Sequence, residues 1–174
     1  MQLRSVACAV LLVLSACSGR EGERRALEET WDNDQVRVRG EQVMHAGDWV
    51  KDGAVSFFNR DGTPRAQGQY TLGLESGEWT EHLDDGTRAV GSYTDAQRDG
   101  LWTYFFEDGG KQEEGHFSAG ERVGEWTWWY RSGGRRSLSF YVAGKLHGAV
   151  QAWTEDGEVD PDNSLTYEHG VAVE

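Results

Sequence analysis

Apolar and polar side chains alternate along most of this chain. In Leu101–Phe106 (LWTYFF) and Glu125–Tyr130 (EWTWWY), every second position is aromatic, which places those rings on one face of a strand. Elsewhere the apolar spacing never keeps a helical period long enough to matter, and only two prolines interrupt the chain. The pattern predicts an all-β protein.

Glycines divide the alternating runs into units. Gly53, Gly77, Gly100, Gly124 and Gly148 are spaced by 24, 23, 24 and 24 residues. Nine residues after each stands a second glycine: Gly62, Gly86, Gly109, Gly133 and Gly157. Aspartate precedes four of these, as Asp61, Asp85, Asp108 and Asp156, and Ser132 precedes the fifth. Seven residues before the last four opening glycines comes an aromatic: Tyr70, Tyr93, Phe117 and Tyr141. Three registers kept together identify about five tandem repeats of 23–24 residues, with a fainter partial unit in Val36–Trp49. Each unit reads as a β-hairpin, and the whole as an elongated, twisted antiparallel β-meander of about ten strands.

The hairpin register follows if Asp-Gly forms a two-residue type I′ turn. Positions whose offsets from the opening glycine add to 17 then face each other. The second repeat, one residue shorter, is expected to shift locally by a different turn or a bulge. Offset 2 holds Val55, Trp79, Trp102, Trp126 and Val150 opposite Gly68, Gly91, Gly115 or Ser139. A small residue there leaves room for an indole to lie across the sheet. The aromatic at offset 17 is expected to cover the bare opening glycine. Offsets 4 and 6 add Phe57, Tyr104, Phe106, Trp128, Tyr130 and Leu83 to the same face.

The opposite face is polar at offset 3 but carries Phe58, His82, Phe105, Trp129 and Trp153 at offset 5. Arg65, Gln112 and Arg136 are expected opposite these, with Arg88 near the equivalent place in the short repeat. An arginine over an exposed ring contributes about 0.5–1 kcal/mol and screens it from water. Trp129 is thus expected beneath Arg136, whereas Trp153, facing Asp160, is expected to be the uncovered ring. The candidate binding residues are Trp129, Trp153, Phe105 and Arg136.

The first residues read differently. Arg4, the apolar run SVACAVLLVLSA and the ending Leu14–Cys17 form a secretory signal, expected to span residues 1–16. Its apolar run is too short to cross a membrane as a helix. The Leu-Ser-Ala-Cys ending resembles the lipobox of bacterial lipoproteins, which implies lipidation of Cys17, and Ser18 after it implies the outer membrane. Cys8 would leave with the signal, so the mature chain would hold no internal disulfide. Residues 17–35 are charged and read as a flexible tether before a repeat domain over 36–174. A net charge of −13 argues against nucleic acid and against electrostatic docking on anionic lipid heads.

The pattern of Gly-x-Trp, an Asp-Gly turn and aromatic-x-x-Gly before the next unit resembles the MORN-repeat family, in the variant form of bacterial YwqK-type antitoxin proteins. Residues 53–170 carry it, and YVAGKLHG (Tyr141–Gly148) is similar to its consensus. The resemblance implies a meander of hairpins that binds proteins or membranes. GEWTWWY also looks like the tryptophan-rich repeats of choline-binding modules, although those repeats are shorter.

No Gly-x-Ser-x-Gly, phosphate loop or Ser-His pairing is present. The five histidines are too dispersed for a local metal motif, and DGEVDPDNS lacks the spacing of an EF-hand. No catalytic residue, metal or cofactor is therefore expected. The expected function is that of a non-enzymatic, lipid-anchored cell-envelope protein that binds another protein through its repeats. A glycan- or cell-wall-binding module using the outer rings, or an immunity protein of antitoxin type, stands as the alternative.

Overall fold

The computed structural model describes residues 19–173; Cys17 and the expected signal segment lie outside them. Five long hairpins follow one another. They are β1 (Arg24–Thr30) with β2 (Val36–His45), β3 (Asp48–Phe58) with β4 (Pro64–Thr71), β5 (Leu74–His82) with β6 (Arg88–Thr94), β7 (Gln97–Phe105) with β8 (Lys111–Ser118), and β9 (Glu121–Trp129) with β10 (Arg135–Val142). Short strands complete the chain: β11 (Lys145–Leu146), β12 (Gly148–Ala149), β13 (Gln151–Ala152), β14 (Thr166–Glu168) and β15 (Val171–Val173). Strands β1 to β11 form one antiparallel sheet in sequence order, with β13 also on β10, while β12, β14 and β15 make a small second sheet. The all-β meander read from the sequence is the observed fold.

The tether expected over residues 17–35 is not what the described part of it forms. Residues 24–30 make the edge strand β1, so the sheet begins at Arg24 and not at residue 36. Counting back from the pairing shows a full unit opening at Arg25. Leu27 faces Gly40 as Val55 faces Gly68 and Trp79 faces Gly91. Leu27 and Val38 are buried in the same core as Trp102. The unit escapes notice in the sequence because Arg25 replaces the opening glycine, and Asp34, at a φ of 62°, replaces the second.

The two kinds of turn are exchanged relative to expectation. Type I′ geometry, with φ positive at both central residues, occurs between repeats, at Ala46-Gly47, Leu72-Gly73, Asp95-Ala96, Ala119-Gly120, Ala143-Gly144 and His169-Gly170. At Asp-Gly only the glycine has a positive φ, as at Gly109 with 88°. There Gly109 N–H donates to Phe106 O at 2.9 Å and Phe106 N–H to Gly110 O at 2.8 Å, which closes a three-residue loop. The aspartate accepts from the backbone beyond the turn: Thr63 N–H on Asp61, Thr87 N–H on Asp85 and Gly110 N–H on Asp108, each at 2.9 Å. That local bond, together with a left-handed glycine, is why Asp-Gly recurs.

A three-residue loop moves the first pairs by one, as in Phe105 with Lys111. A bulge then restores the predicted register, so that Tyr104 faces Glu113 and Trp102 faces Gly115. The shortened second repeat is the regular one: its pairing runs from Gly77–Tyr93 to His82–Arg88 without a bulge. The missing residue is the bulge residue of the others, a correction to the expected extra distortion. The opening glycines all have positive φ, and a Cβ at Gly100 or Gly124 would meet nothing within 4 Å. Their requirement is conformational; the expected covering by the offset-17 aromatic is not the reason for them.

The core is a ladder of rings on one face. Tyr70, Trp79, Tyr93, Trp102, Phe117 and Trp126 meet in sequence with centroids 5.1–6.1 Å apart, mostly edge to face. Trp102 and Trp126 are fully buried. Each indole lies over the glycine of the preceding hairpin, not over its partner within its own hairpin. A Cβ at Gly68, Gly91 or Gly115 would overlap Trp79, Trp102 or Trp126, respectively. The indole N–H then reaches a carbonyl of the neighbouring return strand, Trp102 to Ser92 O at 3.0 Å and Trp126 to His116 O at 3.2 Å. The three tryptophan-bearing repeats are thereby each locked to the one before.

Candidate binding surface

Phe105, Trp129 and Trp153 stand at the same offset of three successive units, all half-buried, at the Asp-Gly end of the outer face. The cations that accompany them come from the preceding hairpin. The Arg88 guanidinium carbon is 4.3 Å from the Phe105 ring centroid, Lys111 Nζ is 5.5 Å from that of Trp129, and the Arg135 guanidinium carbon is 5.5 Å from that of Trp153. The expectation of Trp129 beneath Arg136 is therefore corrected. The bulge between Arg135 and Ser137 turns Arg135 into the cross-strand partner of Trp129, and the Arg136 side chain is exposed. Arg136 still meets Trp153 through its carbonyl, which accepts the Trp153 N–H at 2.9 Å. Trp153 is not the uncovered ring either, because Arg135 lies over it, and its bridge partner is Val159 and not Asp160. Asp160 instead accepts from Asn163 Nδ2 at 2.7 Å, a bond that, with nearby backbone N–H groups, holds its carboxyl below the usual range. The rings and cations thus form an alternating row, in which a cationic ligand would find its place taken.

A second surface, which sequence reasoning missed, lies on the tryptophan face. Two residues before the opening glycines stand Lys51, Arg98 and Arg122, and each lays its charge over the rings. The Arg98 guanidinium carbon is 4.3 Å from the Trp102 centroid, and that of Arg122 is 3.9 Å from Trp126. Arg98 also pairs with Glu81 at 2.6 Å and donates to Tyr104 Oη at 2.6 Å and Tyr93 Oη at 3.3 Å. Arg122 pairs with Glu113 at 2.9 Å. Burial, followed by its hydrogen bond to Glu81, pushes the Tyr93 hydroxyl up to about 12. These arginines close the outer side of a core that no second layer of the described residues covers. The signal was present as a recurrent cation two positions before the opening glycine, but without pairing it could not be assigned to a face.

The histidines are partly gathered. His147 and His169 lie with ring centroids 5.3 Å apart, and His147 Nδ1 is buried without a hydrogen-bond partner. Among the described residues no group of three His, Cys, Asp or Glu side chains is placed to hold a metal ion. No helix among them is long and apolar enough to cross a membrane.

Strands β7 and β8 form a bulged hairpin with the same pairing pattern as β3 and β4. Residues 98–119 match the MORN repeat variant. The matched segment runs from Arg98, through the Gly100 bulge and the Asp108-Gly109 turn, to Ala119 in the following type I′ turn. The match covers this one hairpin; β3 with β4 shares its bulged pairing, and β5 with β6 pairs without a bulge. No curated protein matches the chain.

Proposed function

We propose that this protein is a non-enzymatic interaction module, held at the bacterial cell envelope by a lipid on Cys17, whose repeats present a rigid sheet to another protein. The observation that carries it is the single-layer ladder. Repeats that touch only their neighbours offer an extended surface, of the kind repeat proteins use for binding, and the MORN-type geometry supports the same reading. The lipid anchor rests on the Leu14–Cys17 ending and the apolar run before it, and Ser18 favours the outer membrane.

The test is capture with the lipidated protein from its own envelope, with the partner identified by mass spectrometry. A partner retained by the wild-type protein and lost on competition with soluble residues 19–174 supports the reading; no specific partner overturns it. Palmitate labelling that persists in Cys17→Ser would sink the anchor separately. A captured toxin would identify the antitoxin-type variant of the same function. Glycan binding through the outer rings is checked with purified peptidoglycan: identical tryptophan fluorescence with and without it, in wild type and Trp153→Ala, rules that alternative out.

A further inference from the structure

We propose that the second repeat carries a docking groove for an arginine side chain of the partner protein, a reading that rests on the interaction function above. The groove lies on the tryptophan face between the first two Asp-Gly turns of the regular array. It has a volume of about 410 Å³, and its lining includes Phe57, Arg65, Tyr70, Glu75, Trp79, Glu81 and Asp84.

The argument comes from the next two repeats. There the chain supplies its own guanidinium to the equivalent place: Arg98 lies over Trp102, bonded to Glu81 and two tyrosine hydroxyls, and Arg122 lies over Trp126, bonded to Glu113. In the second repeat the position two before the opening glycine is Glu75, so the array's own cation is replaced by a carboxylate. The tyrosine and the indole of the cradle are retained, while the place of Arg98's partner Glu81 is taken by Phe57. Tyr70 stands where Tyr93 stands for Arg98, its hydroxyl donating to Glu75 at 2.8 Å. Phe57 and Trp79 supply stacked rings with centroids 6.3 Å apart, and Glu81 occupies the position of Tyr104. Glu81 is already shared with Arg98. The chain's own cations sit at the Phe57 and Tyr70 end: the Arg65 guanidinium carbon is 5.4 Å from the Phe57 ring, and Lys51 Nζ is 5.9 Å from Phe57 and 5.4 Å from Tyr70. Trp79, unlike Trp102 and Trp126, has no cation of the described residues laid over it. The uncovered indole of Trp79 beside the Glu75 carboxylate suits a planar cation, and arginine stacks on rings while forking to a carboxylate better than lysine does. The proposed partner residue thus completes, from outside, a contact that the repeats otherwise complete from within.

The prediction is read with tetra-arginine amide as probe and the indole N–H resonances of the full described chain as reporter. Saturable shifts at Trp79, weaker with tetra-lysine amide, are expected. Glu75→Arg should supply the internal cation and weaken the peptide by about tenfold or more, while Glu75→Gln should weaken it less. Glu125→Arg, the same charge change at an exposed site on another hairpin, should leave binding near the wild-type value. Shifts spread over all tryptophans, equal binding by Glu75→Arg, or an equal loss in Glu125→Arg would overturn the groove. Glu75→Arg should keep the wild-type spectrum, because Arg98 and Arg122 occupy the same position in its neighbours. If envelope capture identifies a partner that Glu75→Arg retains fully, the groove fails while the interaction function stands. If the wild-type protein captures none, the function itself fails, and the peptide result alone decides the groove.

Discussion

At the scale of single residues, the tryptophan and the glycine beneath it act as one unit. The indole of Trp126 fills the space where a Cβ of Gly115 would stand, and its N–H is satisfied by His116 O. Gly115→Ala must therefore displace a ring that is wholly buried. It should destabilise by about 1–3 kcal/mol, as overpacking does, and Trp126→Ala by about 3–5 kcal/mol. In the double variant the alanine no longer meets a ring, so the two costs should fall short of additive. Urea unfolding of the four proteins checks this, and additive costs would place the indole elsewhere. Asp34 offers the opposite case. It holds a φ of 62° at a position where the later units use glycine, and a left-handed non-glycine residue carries a cost of roughly 1 kcal/mol. Asp34→Gly should raise stability by up to about that amount; a loss in the same unfolding assay would mean that its side chain matters more than its backbone.

At the scale of elements, the connections hold the hairpins in register. Asp52, buried in β3, accepts the Leu72 N–H at 3.0 Å from the next connecting turn and pairs with Arg24 of β1. The Leu72 bond, and after it Arg24, hold its carboxyl below its ordinary value near 3.8 against the opposing effect of burial. A carboxyl with a lowered folded-state value contributes stability fully above its unfolded value. That contribution is lost as the pH falls through the folded value. Below about pH 4 the wild-type protein should therefore lose stability that Asp52→Asn has already lost at neutral pH, and the two curves should converge on acidification. Parallel curves across that window would remove Asp52 from the account.

At the scale of the molecule, each long hairpin touches mainly its neighbours in the sheet. Stability in such arrays is close to a sum of units and interfaces, and it frays from the ends. The last unit is the weak end. The inserted Asp160–Asn163 stretch folds back on its own aspartate and diverts the return strand, so β14 and β15 leave the main sheet for a separate small one. Its Val171 is two-thirds exposed. Amide exchange should be fastest in β14 and β15 and slowest around Trp102. The other end is not a tether: removing residues 19–35 strips β1 from β2 and uncovers Val38 and Val43, so it should lower the melting temperature by several degrees. A truncated protein as stable as the full chain would show β1 to be dispensable.

The sequence by itself determined the all-β repeat, its period, the face that holds the tryptophans and the cross-strand pairs in the middle of each hairpin. These follow from alternation and from glycines that no other residue replaces easily. Tertiary structure alone decided the rest. Whether an Asp-Gly pair closes two or three residues depends on backbone angles that the dipeptide permits equally, so the bulge and the partners of Trp129 and Trp153 could not be read. The glycine that an indole covers lies one hairpin back, and pairing within a unit does not reveal it. Residues 24–30 look like charged linker until β2 supplies the strand that their backbone needs. The arginines over the tryptophans likewise look like ordinary surface charge until the sheet brings a ring and a carboxylate from two different repeats beneath each of them.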